Sequence, residues 1–228
     1  MNTVRRGGRG GLRPAGKIIV TKVKPSSVRI AHATVLFADL RGYTGMAERL
    51  PPASVLSLLD EFLRVLSSAV TRYQGTVFHM AGDGMMAGFG VAGEGGDGAR
   101  AALSAGNAML EDFAPIAVRW RSKHAVEAGV GVGVHLGEVA VGVLGAPRPR
   151  RTTLVGDTVN VAARLCSRAR AGEVLFSCTV AAAIDTDDTA PAVPVGAVPF
   201  LQLPQFELRG RRSPIDIWCI PAVERLAL

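Results

Sequence analysis

Cysteine is scarce in this chain of 228 residues. Cys166, Cys178 and Cys219 are an odd, scattered set without metal-ligand spacing, which excludes a disulfide framework and a thiolate metal cluster and points to a reducing compartment. Long apolar runs are missing too. None approaches the roughly 18 residues that span a bilayer, and the N-terminus lacks the apolar core of a secretion signal, so a cytoplasmic location is expected. Aromatic residues make up only 5%, and no basic stripe with interleaved aromatics occurs, so the folded part gives no support to a nucleic-acid partner. No repeat recurs at a period of 20–50 residues, which excludes solenoids and propellers.

Acidic residues are absent from residues 1–29, which hold eight of the 26 basic residues. The remainder, residues 30–228, sets 18 basic against 19 acidic side chains. The pI near 10 therefore describes the first segment, read here as a flexible basic arm, and residues 30–228 are read as one domain. Within the arm, Ile18-Ile19-Val20 is a short candidate pairing segment. An apolar content of 48% supplies an ample core.

Ala33 to Ala38 opens the domain as an apolar strand, expected to be buried on both faces. Thr44 is a candidate helix cap. Pro51-Pro52 then opens a helix over Ala53 to Tyr73, with Val55, Leu58, Leu59, Phe62, Leu63, Leu66 and Val70 at a 3.6-residue period and Gly75 as its stop. Thr76–Ala81 and Met85–Phe89 flank Gly82-Asp83-Gly84 as a hairpin. A second helix is expected from Ala99 to about Trp120, kinked or ended near Pro115. Val126–His135 and Glu138–Leu144 read as two strands joined at Leu136-Gly137, and the Gly129, Gly131, Gly133 alternation predicts a backbone packed closely on the first. Pro147 to Arg151 reads as an exposed basic loop, and Gly156-Asp157-Thr158 as the cap of a helix through Arg168, ended by Gly172. Glu173–Ser177 is an expected strand, Thr179–Ile184 a short helix, residues 185–205 a proline-bearing loop, and Phe206–Leu208 with Ile215–Ile220 a closing hairpin. The mixture fits an α+β architecture with helices over one antiparallel-rich sheet.

Two carboxylates stand out. Asp83 alone has a plain reading as a turn residue, since Asp-Gly favours tight hairpins. Asp39, however, closes another apolar run. If the two strands are neighbours, both carboxylates emerge at one sheet end, about 5 Å apart in strand spacing. Like charges at that separation repel unless a cation lies between them, and oxygen ligands suit Mg²⁺ or Mn²⁺. Metal-dependent phosphate chemistry is the sharper reading.

Five segments together resemble the catalytic domain of class III nucleotide cyclases, the adenylate and guanylate cyclase family. They are Phe37-Ala-Asp39-Leu-Arg-Gly-Tyr-Thr44, Gly82-Asp83-Gly-Met-Met-Ala-Gly-Phe89, His135-Leu-Gly-Glu-Val139, Val155-Gly-Asp-Thr-Val-Asn160-Val-Ala-Ala-Arg164-Leu and Glu207-Leu-Arg-Gly210, in the family's order and spacing. The resemblance covers residues 32–222 and implies a ferredoxin-like βαββαβ core with extra strands and helices. It also implies a homodimer with two equivalent sites, each taking Asp39 and Asp83 from one chain and Asn160 and Arg164 from the other.

The same resemblance implies two divalent ions, Mg²⁺ or Mn²⁺, per site, held at Asp39, Leu40 and Asp83. The backbone from Leu40 through Gly42, Tyr43 and Thr44 would cradle the triphosphate, with a basic residue from Arg209 to Arg212, Arg209 being the candidate named, as a further phosphate contact. Asn160 would meet the ribose and Arg164 the α-phosphate; their i, i+4 spacing puts them on one helical face, where a solvated polar stripe is the bland alternative. His79, four residues before Asp83, and Thr153, seven before Asn160, fall at the base-reading positions. Adenylate cyclases usually place Lys at the first, many bacterial members place Thr at the second, and guanylate cyclases favour Glu and a small residue such as Cys. The implied activity is conversion of ATP to 3′,5′-cyclic AMP and pyrophosphate. The alternatives are a cyclase for GTP, one for CTP or UTP as in antiphage pyrimidine cyclases, and a catalytically silent nucleotide-binding homologue.

Overall fold

The computed structural model describes residues 28–92, 98–145, 151–185, 200–207 and 214–221. In chain order they form β1 (Arg29–Arg41), α1 (Tyr43–Arg49), α2 (Pro52–Arg72), β2 (Thr76–Ala81), β3 (Gly84–Phe89), α3 (Gly98–His124), β4 (Gly129–Leu144), β5 (Arg151–Val155), α4 (Asp157–Arg168), β6 (Glu173–Ser177), α5 (Cys178–Asp185), β7 (Leu201–Phe206) and β8 (Ile215–Ile220). The strands make one sheet in the order β2-β3-β1-β4-β6-β8-β7, with β5 also paired to β4. Every pairing is antiparallel except β4 with β6. The architecture is the expected α+β one. Among the described residues no helix is long and apolar enough to cross a membrane.

The middle of β1, Ala33 to Ala38, is almost wholly apolar because both of its faces are covered there. Leu36, Ala38 and Leu40 join α2, α3 and Val180 of α5 in the larger core. Ala31, Ala33 and Val35 lie on the other face with Ala162 of α4, while Val161 and Leu165 of α4 pack with Leu175, Ile217 and Cys219. Removal of such side chains from water, at roughly 1.5–3 kcal/mol for each large one, is what fixes the sheet between its two helical layers.

Several boundaries differ from expectation, each for a local reason. The chain does not turn at Leu136-Gly137: β4 is one 16-residue strand, held along its length by β1 through pairs such as Val35 with His135 and Ala33 with Gly137. Gly137 makes room for a helix, since a methyl there would meet Thr158 Oγ1 at 2.7 Å. α3 runs through Pro115 to His124. Phe113 and Trp120 on either side of the proline form an edge-to-face series with Phe62 of α2, with centroids 5.2 Å apart. Burial of that aromatic group outweighs the roughly 3 kcal/mol a mid-helix proline costs. β5 arises where only a loop was expected, pairing Leu154 with Val141. β7 starts at Leu201 and contains Pro204; it is an edge strand with a register shift between Leu203 and Phe206, which is where proline is tolerated.

The caps and turns also differ. Thr44 caps no helix, and of Gly156-Asp157-Thr158 it is the glycine that takes the N-cap of α4. Gly42 and Gly156 hold the N-cap positions of α1 and α4 without a side-chain bond, and Thr158 Oγ1 donates instead to the Glu138 carbonyl at 2.7 Å. The left-handed residue after α2 is Gln74, while Gly75 is needed because a methyl there would stand 2.5 Å from the Phe89 ring. In the β2–β3 hairpin the positive φ belongs to Gly82 and not to Gly84. Arg29, placed by sequence in the basic arm, already pairs with Val141 in β1. Ile18-Ile19-Val20, residues 147–150, most of the proline-bearing loop and Arg209 lie outside the described residues.

Candidate active site

The site is built at the end of β1. The β1–β3 register sets Asp39 opposite Gly84, and the two-residue turn Gly82-Asp83 follows directly, since Ala81 pairs with Gly84. The Leu40 amide donates to the Asp83 carbonyl at 2.9 Å, which ties the turn to the strand end. The structure thus brings Asp39, Leu40 and Asp83 together. The Asp39 carboxyl is held above its ordinary pKa, first by burial and next by the charge of Asp83, with Arg41 pulling the other way. Two carboxylates set side by side at one sheet end are a donor set that fits a hard divalent cation. Among the described residues no third His, Cys, Asp or Glu joins them.

Arg41 is a functional candidate that sequence reading missed. It ion-pairs with Asp39 through Nη1. Its Nε donates to the Ala169 carbonyl at 2.9 Å and its Nη2 to the Cys166 carbonyl, both at the C-terminal end of α4. Beside it the buried Cys166 thiol, 3.3 Å from the Gly131 carbonyl, is pushed up to about 12 by burial. The valine–glycine alternation of β4 did point to a close approach there. Gly133 lets α4 in, since a methyl on it would stand 2.0 Å from the Cys166 amide nitrogen.

The turn into α1 carries Gly42, Tyr43 and Thr44. Gly42 has φ 93, and a Cβ there would stand 2.1 Å from the Glu127 carbonyl oxygen, so both backbone angle and space demand glycine. No side chain caps α1. Its first amides are therefore left to an outside acceptor, and helix starts favour anions.

His79 lies exposed on β2, just after a register shift. Thr153 is half-buried on β5, which lies against β2. The unexpected strand therefore carries one base-reading candidate toward the strand of the other. Asn160 is exposed and Arg164 half-buried on α4, on the side away from Val161 and Leu165. Among the described residues neither has a hydrogen-bond or ion-pair partner, and neither is joined to Asp39, Asp83 or His79. His135 is buried, with Nδ1 2.6 Å from Ser177 Oγ, and ties β4 to β6.

Comparison with known proteins bears on the family and the fold. The model of the adenylate and guanylate cyclase catalytic domain matches residues 26–213. The adenylyl cyclase CyaB of P. aeruginosa is similar in structure, with TM-score 0.76 and 28% identity, over 85% of this chain and 95% of that one. So is the guanylyl cyclase Cya2, with TM-score 0.73 and 26% identity, over 86% and 94%. An uncharacterized protein of Mycobacterium tuberculosis is 34% identical over 139 residues, which are 61% of this chain and 24% of that protein. The chain spans about a quarter of the length of such curated relatives. With the two aspartates at one sheet end, the helix behind them and a family match over most of its length, this chain belongs to the adenylate and guanylate cyclase catalytic domain family.

Proposed function

We propose that the protein is an adenylate cyclase, active as a homodimer, that converts ATP to 3′,5′-cyclic AMP and pyrophosphate. The observation that carries this reading is the β1–β3 register, which seats Asp83 beside Asp39 in a chain of a nucleotide cyclase family. The ribose 3′-oxygen attacks the α-phosphorus, the bond from that phosphorus to the bridging oxygen breaks, pyrophosphate leaves, and the 3′ proton passes to solvent.

Asp39 and Asp83, with the Leu40 backbone, would hold Mg²⁺ or Mn²⁺, as members of this family generally require. Bound there, the ions supply charge that favours ionisation of the 3′-OH and neutralises the departing phosphates. The amides of Gly42, Tyr43 and Thr44 face the triphosphate at the start of α1. Arg164 of the partner chain meets the charge that builds on the α-phosphate, and Asn160 orients the ribose. Their lack of partners among the described residues suits groups that act across a subunit interface. His79 and Thr153 read the base.

GTP is the second reading, because the similar structures include a guanylyl cyclase and His79 is exposed where a donor-only lysine is usual. Purified protein incubated with each of the four nucleoside triphosphates and Mn²⁺, with products identified by mass spectrometry, tests both. Cyclic AMP as the main product supports the proposal. Cyclic GMP or a cyclic pyrimidine nucleotide as the main product overturns the base assignment, and no cyclic product at all overturns turnover.

A further inference from the structure

We propose that Arg41 is a positioning residue for Asp39: a fork, seated on Gly131 and anchored to the end of α4, that holds the carboxylate turned toward Asp83. The inference rests on the reading of Asp39 as a metal ligand and adds the residue that sets its geometry.

Three oxygen acceptors take the guanidinium, with the Cys166 sulfur a further, longer contact of Nη2 at 3.9 Å. The carbonyls of Ala169 and Cys166 hold Nε and Nη2, the Cys166 carbonyl also accepting from the Ala169 amide, and they belong to the C-terminal end of α4, where the helix dipole is negative. That leaves Nη1 for Asp39 Oδ2. A planar guanidinium tied at two corners has little freedom at the third, a constraint no ammonium can reproduce. The seat is equally specific. A Cβ on Gly131 would stand 2.5 Å from Nη2, 2.7 Å from Nε and 2.8 Å from Cζ, so the fork occupies the space a side chain would take. With Oδ2 pinned, the other carboxylate oxygen is the one near the hairpin. A Cβ on Gly84 would be 3.2 Å from Asp39 Oδ1, at the residue that directly follows Asp83 in the turn. Without the fork, repulsion from Asp83 would drive the Asp39 carboxylate away from that position.

Charge and position make opposite demands. A cation beside a metal site repels the metal, so removing Arg41 by truncation mixes a gain with a loss. Variants that keep the charge separate the two. Arg41→Lys retains a cation without the fork. Gly131→Ala retains Arg41 and unseats it with one methyl group, at a position without a positive φ.

The measurement is Mn²⁺ binding to the nucleotide-free protein, read from the free-ion signal in electron paramagnetic resonance, with thermal melts confirming that each variant is folded. Both variants are expected to bind Mn²⁺ roughly 3- to 10-fold more weakly, the range that ordering one side chain commands. Their turnover should recover at saturating Mn²⁺, so the metal requirement shifts while kcat does not. Wild-type affinity in either folded variant overturns the proposal, and a variant that fails to fold leaves the other to decide. Asp39→Ala is the reference. If it keeps wild-type Mn²⁺ binding, or if the wild type binds none, the metal reading itself fails and takes this inference with it.

Discussion

Gly84 lies opposite Asp39 across β3 and β1, and a methyl group added to it would stand 3.2 Å from Asp39 Oδ1. The metal-binding oxygen of the proposed site is therefore bounded on one side by a missing side chain. Gly84 has no positive φ, so alanine meets no backbone strain there, and the carboxylate is the part that must give. Gly84→Ala should keep its melting temperature within a few degrees while turnover at limiting Mn²⁺ falls several-fold. A variant with unchanged metal dependence would show that the site tolerates a rotated Asp39.

Removal of either carboxylate should be far more severe. Asp39→Ala or Asp83→Ala should lower turnover roughly a thousandfold or more, since a metal ligand at a two-metal site contributes several kcal/mol to the transition state. The Asp39 side chain is 37% exposed, so the fold should survive. Arg164→Ala should be equally inactive alone. If sites are shared between subunits, mixing Asp39→Ala with Arg164→Ala restores about a quarter of wild-type activity, because each mixed dimer has one undamaged site and random pairing makes half the dimers mixed. A dead mixture after verified subunit exchange would place the catalytic set within one chain.

Strand and helix identities were legible where the apolar pattern was strong, continuous in β1 and β6 and 3.6-periodic in α2. The two aspartates were legible because Asp39 closes an apolar run and Asp83 sits in the turn between two others. What sequence could not supply was long-range compensation. Pro115 looked like a stop because the burial of Phe113 and Trp120 against Phe62 is invisible in a local window. Leu136-Gly137 looked like a turn because its glycine serves Thr158, a residue 21 positions later. β5 was missed because five residues beside an arginine-rich segment carry little pattern of their own, although β4 continues far enough to pair with them. At the site, Arg41 read as a linker residue inside a motif. Its role rests on carbonyls about 125 residues away, which no local spacing encodes.

The three cysteines should differ in reactivity. Cys166 and Cys219 are buried and Cys178 is half-buried. Burial raises the Cys166 thiol from 9.0 to about 12 even though Arg41 opposes the shift. At pH 8 about one Cys166 in ten thousand would be thiolate, the form that alkylating agents attack. Iodoacetamide followed by mass spectrometry of the native protein should label Cys178 first and leave Cys166 intact until unfolding. The linked effect on stability has a definite sign. From about pH 9 to 12 the unfolded chain releases this proton while the fold retains it, so Cys166 lowers stability as pH rises through that window. Early labelling of Cys166 at pH 8 would show that the end of α4 opens readily.

Base selection is the prediction that most directly tests the substrate. A buried hydrogen-bonding group left unpaired costs about 1–3 kcal/mol, or roughly 5- to 150-fold in discrimination. Lysine only donates, which suits the bare N1 of adenine and not the protonated N1 of guanine. His79 donates or accepts according to its tautomer, and so does the hydroxyl of Thr153. His79 is also exposed, so water competes for whichever bond it makes. The wild type should therefore prefer ATP over GTP by a modest factor, near the lower end of that range. His79→Lys should widen the preference by restricting the position to donation. Its exposure means that the longer side chain displaces nothing in the core, so stability should be unchanged. Paired-nucleotide competition measures the ratio of kcat/KM directly. A ratio unmoved by His79→Lys, or a wild type that favours CTP or UTP, would show that this position does not read adenine, and the adenylate assignment would fall with it.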